Sequence, residues 1–214
     1  MSSEHIPSKN MPVLSPSEKM VLETLAERGP LSGYDFHLGG RPVRGSRKAL
    51  MSSGYWLKVL KRLGPEGFNL MCPVELHGRP RQGESKRRKK LFWLTGLGLI
   101  YVLAEGVSPR KVLEHAQRVY GKQSLETLLV RLRILVGGEI FRLCSVMIFE
   151  HGLNEENVAT AVAMSILYAK KSSHIDAQTL NRKLNRLLED YPEIREMKRQ
   201  WMAEAKRSVL SLED

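Results

Sequence analysis

One stretch constrains this chain more than any other: a run too charged to bury, set between two runs too apolar to expose. His77 to Lys90, HGRPRQGESKRRKK, holds seven Lys/Arg against one Glu. Packing such a run in a core would strip the hydration from like charges that already repel one another. The flanking runs, Phe68–Leu76 and Leu91–Thr95, are short, apolar and β-prone, and are expected as strands paired across the loop. Upstream, Ser53–Leu63 reads as a short helix opened by a Ser cap. Trp56, Leu57, Leu60 and Leu63 are expected to face inward, and Lys58, Lys61 and Arg62 outward. Gly64-Pro65 stops the helix, because Pro cannot continue it and Gly tolerates the turn. Helix, strand, basic loop, strand is the layout of a winged helix.

The rest of the chain reads as helix. Residues 1–13 are rich in Ser, Pro and Lys and are expected as a disordered arm. Ser15-Pro16-Ser17-Glu18 is a capping box with Pro at the first helical position. The helix it opens carries Val21, Leu22, Leu25 and Ala26 on one face and stops at Gly29-Pro30. A short helix is expected at Ser32–Leu38, followed by a Gly-rich basic connector, Gly39 to Lys48. Beyond Gly106, Ser108-Pro109 starts a helix to about Tyr120. A long one is expected from Leu125 to Met147, with Gly137-Gly138 marking either a kink or the close crossing of another helix. Asn154, Asp176 and Pro192 open three more, the last with Ile194, Met197, Trp201 and Ala205 along one side. The fold expected is mainly α: a winged helix-turn-helix with a small β-hairpin wing at 14–106, then an all-α region at 107–214.

Charge points to a partner. The net charge is +11, and it is uneven: residues 1–106 carry a surplus of eight cations and residues 107–214 a surplus of three. A basic excess concentrated in one loop favours docking on a polyanion over general solubility. Two cysteines, Cys72 and Cys144, make neither a disulfide framework nor a zinc site, and their apolar neighbours suggest buried thiols. The N-terminus lacks a leader pattern, and the uncharged apolar runs fall short of the ~18 residues that span a bilayer. A soluble, cytoplasmic, nucleoid-associated protein without membrane contact is therefore expected.

Enzyme chemistry finds no foothold. The six His residues share no metal-binding spacing, and Gly39-Gly40-Arg41 lacks the spacing and the Lys of a phosphate loop. Ser52-Ser53-Gly54 has no nucleophile elbow around it. Glu155-Glu156 reads as acid complementing a helix N-terminus. No catalytic residue, cofactor or metal is expected.

Three segments carry a family resemblance. LAERGPLSGYDF (Leu25–Phe36) resembles the stretch of PadR-type transcriptional regulators in which Gly-Pro-Leu-x-Gly-Tyr starts the second helix. SSGYWLKVLKRLGPEGF (Ser52–Phe68) is similar to that family's recognition helix, with Ser52, Gly54, Leu60, Lys61, Arg62, Leu63, Glu66 and Gly67 in register. KKLFWLTGLGL (Lys89–Leu99) resembles its final wing strand and Leu-Thr-x-x-Gly helix start. The chain departs at Tyr55, Trp56 and Leu57, at Lys58 in place of a Pro, and in a longer and more basic wing. The resemblance implies a homodimer, joined through C-terminal helices, that binds double-stranded DNA.

A helix of this kind fits the DNA major groove, while a wing lies on the backbone or in the minor groove. Ser52, Ser53 and Tyr55, at the helix start, are the expected phosphate contacts. Lys58, Lys61 and Arg62 are expected on phosphates or guanine edges. In the wing, Lys86, Arg87, Arg88 and Lys89 are expected on the backbone, and Arg79 and Arg81, flanking Pro80, in the minor groove. A small-molecule effector between the C-terminal helices is possible in such an architecture, and the sequence names no ligand. The competing expectation is a winged-helix protein that binds nucleic acid without sequence preference, or that recruits protein.

Overall fold

The computed structural model describes residues 11–32, 53–75, 90–169 and 176–210. The chain divides into two units between Val102 and Leu103, where the sequence suggests a boundary at Gly106.

In the first unit, Pro12–Val102, helix α1 (Pro16–Arg28) starts as its capping box dictates. The Ser15 N–H donates to Glu18 Oε2 at 2.8 Å, and the Glu18 N–H donates to Ser15 Oγ at 3.4 Å. Val21, Leu22, Leu25 and Ala26 are buried, as their spacing predicts. Strand β1 (Leu31–Ser32) follows, so Ser32 does not begin a helix as expected. Leu31 and Ser32 instead pair with Phe92 and Leu91, which give their backbone groups partners. The rest of the helix expected at 32–38, and the connector after it, lie outside the described residues.

Helix α2 (Ser53–Leu63) has the predicted bounds. The chain then folds back: the Leu70 N–H donates to the Leu63 carbonyl and the Phe68 N–H to the Arg62 carbonyl, each at 2.8 Å. These bonds satisfy carbonyls left open by the last helical turn. They also explain why strand β2 (Met71–Glu75) starts three residues later than its apolar run suggests. Strand β3 (Lys90–Leu94) is the centre of a three-stranded antiparallel sheet, order β1-β3-β2. Pro73 sits on β2, an edge, where its missing N–H removes no inner ladder bond.

The sheet hands over to helix α3 (Gly96–Ala104) through one tight junction. The Thr95 hydroxyl donates to the Asn69 carbonyl at 2.5 Å and accepts the Gly98 N–H at 3.1 Å. A Cβ on Gly98 would lie 1.9 Å from the Leu70 carbonyl oxygen, so no other residue fits there. Leu63, Leu70, Met71, Leu94, Leu99 and Ile100 close the core.

In the second unit the described residues are helical. Helices α4 (Pro109–Tyr120) and α5 (Leu125–Leu135) pack on each other, and α6 (Gly138–His151) follows. The long helix expected through Gly137-Gly138 is thus two helices. Val136 and Gly137 are extended, Gly137 with φ −62° and ψ 163°. The cost of Gly inside a helix resolves here as a break. Helix α7 (Glu155–Ala169) packs against α5, α6, α8 (Ala177–Leu187) and α9 (Pro192–Leu210). Five of its buried residues, Ala159, Ala161, Ala163, Ser165 and Ala169, are small, which lets neighbours approach from several sides. Cys144 is fully buried against the Ala161 carbonyl, and burial pushes its thiol pKa up to about 11. Cys72 is half-buried, and burial raises its thiol too.

The last helix holds one residue its pattern does not suggest. Ile194 is buried as expected, but so is Lys198, 5% exposed on the same face. Its ammonium donates to Asn185 Oδ1 at 2.7 Å and to Asn181 Oδ1 at 3.3 Å. Burial depresses its pKa, and the neighbouring Arg199 and Arg195 add to the effect.

Candidate nucleic-acid interface

Helix α2 turns about 100° per residue, and its exposed and buried positions separate cleanly around the axis. Val59 and Leu63 are buried and Leu60 is half-buried, forming the face toward the sheet. Leu57, Lys58, Lys61 and Arg62 form the exposed arc, with Tyr55, 37% exposed, at its edge. No acidic residue occurs anywhere in the helix. A contiguous cationic arc without an acid on the same helix is the electrostatic complement of a polyanion.

Two expectations about this helix need correction. Leu57 was expected inward and is 66% exposed. Val59, outside the expected inward set, is 2% exposed. The i, i+3 and i, i+4 rule links Leu57 to Leu60 and to Lys61 equally well, so it does not choose between faces. Val59 decides between them, because Val59 and Leu63, one turn apart, fix the buried stripe. Trp56, also expected inward, is part of α2 three residues before Val59, and its side chain lies outside the described residues.

Arg62 is engaged within the fold. Its Nε lies 3.3 Å from Glu18 Oε1, and its Nη2 donates to the Val13 carbonyl at 3.0 Å. The guanidinium also sits 5.3 Å from the centroid of the Phe68 ring. Glu18, side chain 5% exposed, therefore has one oxygen on the α1 cap and the other on α2. This ties the exposed helix to the start of α1. Pulling Arg62 onto a phosphate would leave a buried carboxylate without its cation, which opposes the move. Among the described residues, the exposed cations of α2 without such ties are Lys58 and Lys61.

The sheet sets where the basic run begins and returns. Glu75 pairs with Lys90 at the open end of the β2–β3 ladder, so the chain leaves and re-enters the sheet at adjacent positions. Ser53 is in the first turn of α2. Ser52, Arg79, Arg81, Lys86, Arg87, Arg88 and Lys89 lie outside the described residues.

Among the described residues, no group of three or more His, Cys, Asp or Glu could hold a metal, and no helix is long and apolar enough to cross a membrane. Glu155 and Glu156 lie in the first turn of α7, where acid complements the helix dipole. Comparison with protein-family models, with curated proteins and with solved structures returns no match to this chain.

Proposed function

We propose that this chain is a dimeric, DNA-binding transcription regulator whose first unit is a winged helix of PadR-like type. α2 enters the major groove as the recognition helix, and the basic run at 77–90 is the wing. The observation that carries the reading is the exposed arc of α2, cationic and without acid, on a helix stapled to α1 through Arg62 and Glu18. Support also comes from the element order around it, a helix followed by two antiparallel strands whose open ends bracket the basic run.

In this reading the lysines and the wing supply affinity through phosphates. If about three wing cations per subunit reach DNA, a dimer neutralises about six phosphates, with log affinity falling by roughly 0.9 per contact as log salt rises. The second unit holds two copies together through its helices, so that two recognition helices meet half-sites about one helical turn apart or a multiple of that.

The test is selection of bound duplexes from a random pool by the full chain. The expected product is a pseudo-palindrome bound at least ~10³-fold tighter than scrambled duplex at physiological salt. A ratio below about 100-fold sinks the sequence-specific reading in favour of a non-specific or architectural binder.

A further inference from the structure

Leu57 is a large apolar side chain at one edge of the arc that faces solvent, 66% exposed, between half-buried Leu60 and Lys61 around the helix axis. Lys58 follows it and Lys61 lies one turn on, both exposed. Scattered exposed leucines are ordinary on protein surfaces and need no partner. The position of Leu57 is what gives it meaning: an exposed apolar group where the buried face meets the cationic arc, with Lys61 beside it and Lys58 further round, on a helix with no acid.

An occupant must suit both kinds of group at once. A polyanion with only charge to offer would leave Leu57 in water. A purely apolar groove would bury the two ammonium groups unpaired, which is strongly unfavourable. The major groove of a DNA duplex meets both demands, with phosphates along its rim and the C5-methyl of thymine on its floor.

We propose that Leu57 is a specificity-determining residue that reads a pyrimidine C5-methyl group in the major groove, with Lys58 and Lys61 engaging the phosphates or guanine edges beside it. The inference rests on α2 being the recognition helix. The methyl has two sources in duplex DNA, thymine and 5-methylcytosine, and they present the same chemistry at the same edge.

Duplexes selected by the full-length protein serve as probes. Each thymine in turn is replaced by deoxyuridine, and each cytosine in turn by 5-methylcytosine. Affinities are measured for the unaltered protein and for Leu57→Ala. At one thymine per half-site, loss of the methyl weakens the unaltered protein about fourfold, the scale of one buried carbon, and leaves Leu57→Ala unchanged. If 5-methylcytosine is the source, a gain of similar size appears at one methylated cytosine, again only with Leu57 present.

Identical responses of both proteins to every methyl change overturn the inference. In that case duplex binding that still falls on Lys58→Ala leaves the DNA-binding reading standing. Absence of duplex binding by the full chain overturns both. The fold control is thermal melting: an unchanged melting temperature for Leu57→Ala agrees with an exposed side chain, and a fall of several degrees places Leu57 in packing and refutes its role as a reader.

Discussion

Helices α2 and α8 invite comparison because they are so alike in sequence. Each is eleven residues long, each is free of acid within its bounds, and each exposes cations. Lys58 and Lys61 project from α2; Arg182, Lys183 and Arg186 project from α8. Their surroundings differ. Asp176 caps α8, accepting the Thr179 N–H at 2.8 Å, and hydrogen bonding from the Thr179 side chain, then from its backbone, lowers the carboxyl pKa. Glu189 and Asp190 follow directly beyond the far end of α8. α8 also gives Asn181 and Asn185 to Lys198. On α2 the lysines lie on a face with Leu57 and Tyr55, and Glu18 is buried on Arg62. One exposed acid, Glu66, follows three residues beyond the helix end, where α8 is followed by two and also begins at one. A basic helix therefore identifies an interface only when its acids are accounted for.

The sharpest way to break this comparison is to strip both helices alike. Lys58→Ala with Lys61→Ala is expected to lower duplex affinity by one to two orders of magnitude and to flatten the salt slope by about two. Lys183→Ala with Arg186→Ala is expected to change neither, as measured by fluorescence anisotropy across a salt series. Equal losses from the two pairs would erase the distinction between the helices.

A smaller effect separates the cation that belongs to the fold from those that do not. Glu18→Ala removes the α1 cap and the partner of Arg62 together, and is expected to cost about 2 kcal/mol in urea unfolding. Lys58→Ala should stay within about 0.5 kcal/mol, the usual range for an exposed surface position. A neutral Glu18→Ala would remove the staple from the account of α2.

The smallest effect lies under α8. Lys198 has a depressed pKa in the folded state, so across the window below its ordinary value of 10.5 the unfolded chain binds more protons than the folded one. Stability contributed by this group therefore rises as pH climbs through that window. Lys198→Met is expected to flatten the rise, read as melting temperature between neutral and alkaline pH, with little change of fold because an apolar side chain of similar length replaces it. An unaltered pH profile would mean that water reaches the ammonium in the folded protein.

What the sequence made legible follows from how local each signal is. Ser15, Asn154, Asp176 and Pro192 mark helix starts within a few residues of chain, and the structure begins α1, α7, α8 and α9 there. Strands β2 and β3 follow from apolar runs around an unburiable one, while their register, Met71 opposite Leu94, is a finding of the structure. Other features depend on distant groups. Arg62 looks like any outward cation until Glu18 and Val13, more than forty residues earlier in the chain, are seen beside it. Lys198 is buried because α8 brings two Asn carbonyls to it, which no spacing within α9 announces. Leu57 was misplaced for a third reason: on a helix of three turns, a few apolar positions admit two rotations, and one valine decides between them.

The junction at Thr95 and Gly98 bears on how kinship is judged for chains of this kind. A hydroxyl is needed at the first position to link the Asn69 carbonyl to the helix start, and the fourth position admits no side chain against the Leu70 carbonyl. The string Thr-x-x-Gly is therefore what the turn from sheet to helix demands. Unrelated lineages that fold a strand pair onto a helix in this way would converge on the same four letters. Shared spelling at this corner reports geometry, and descent has to be read from positions that packing leaves free to vary.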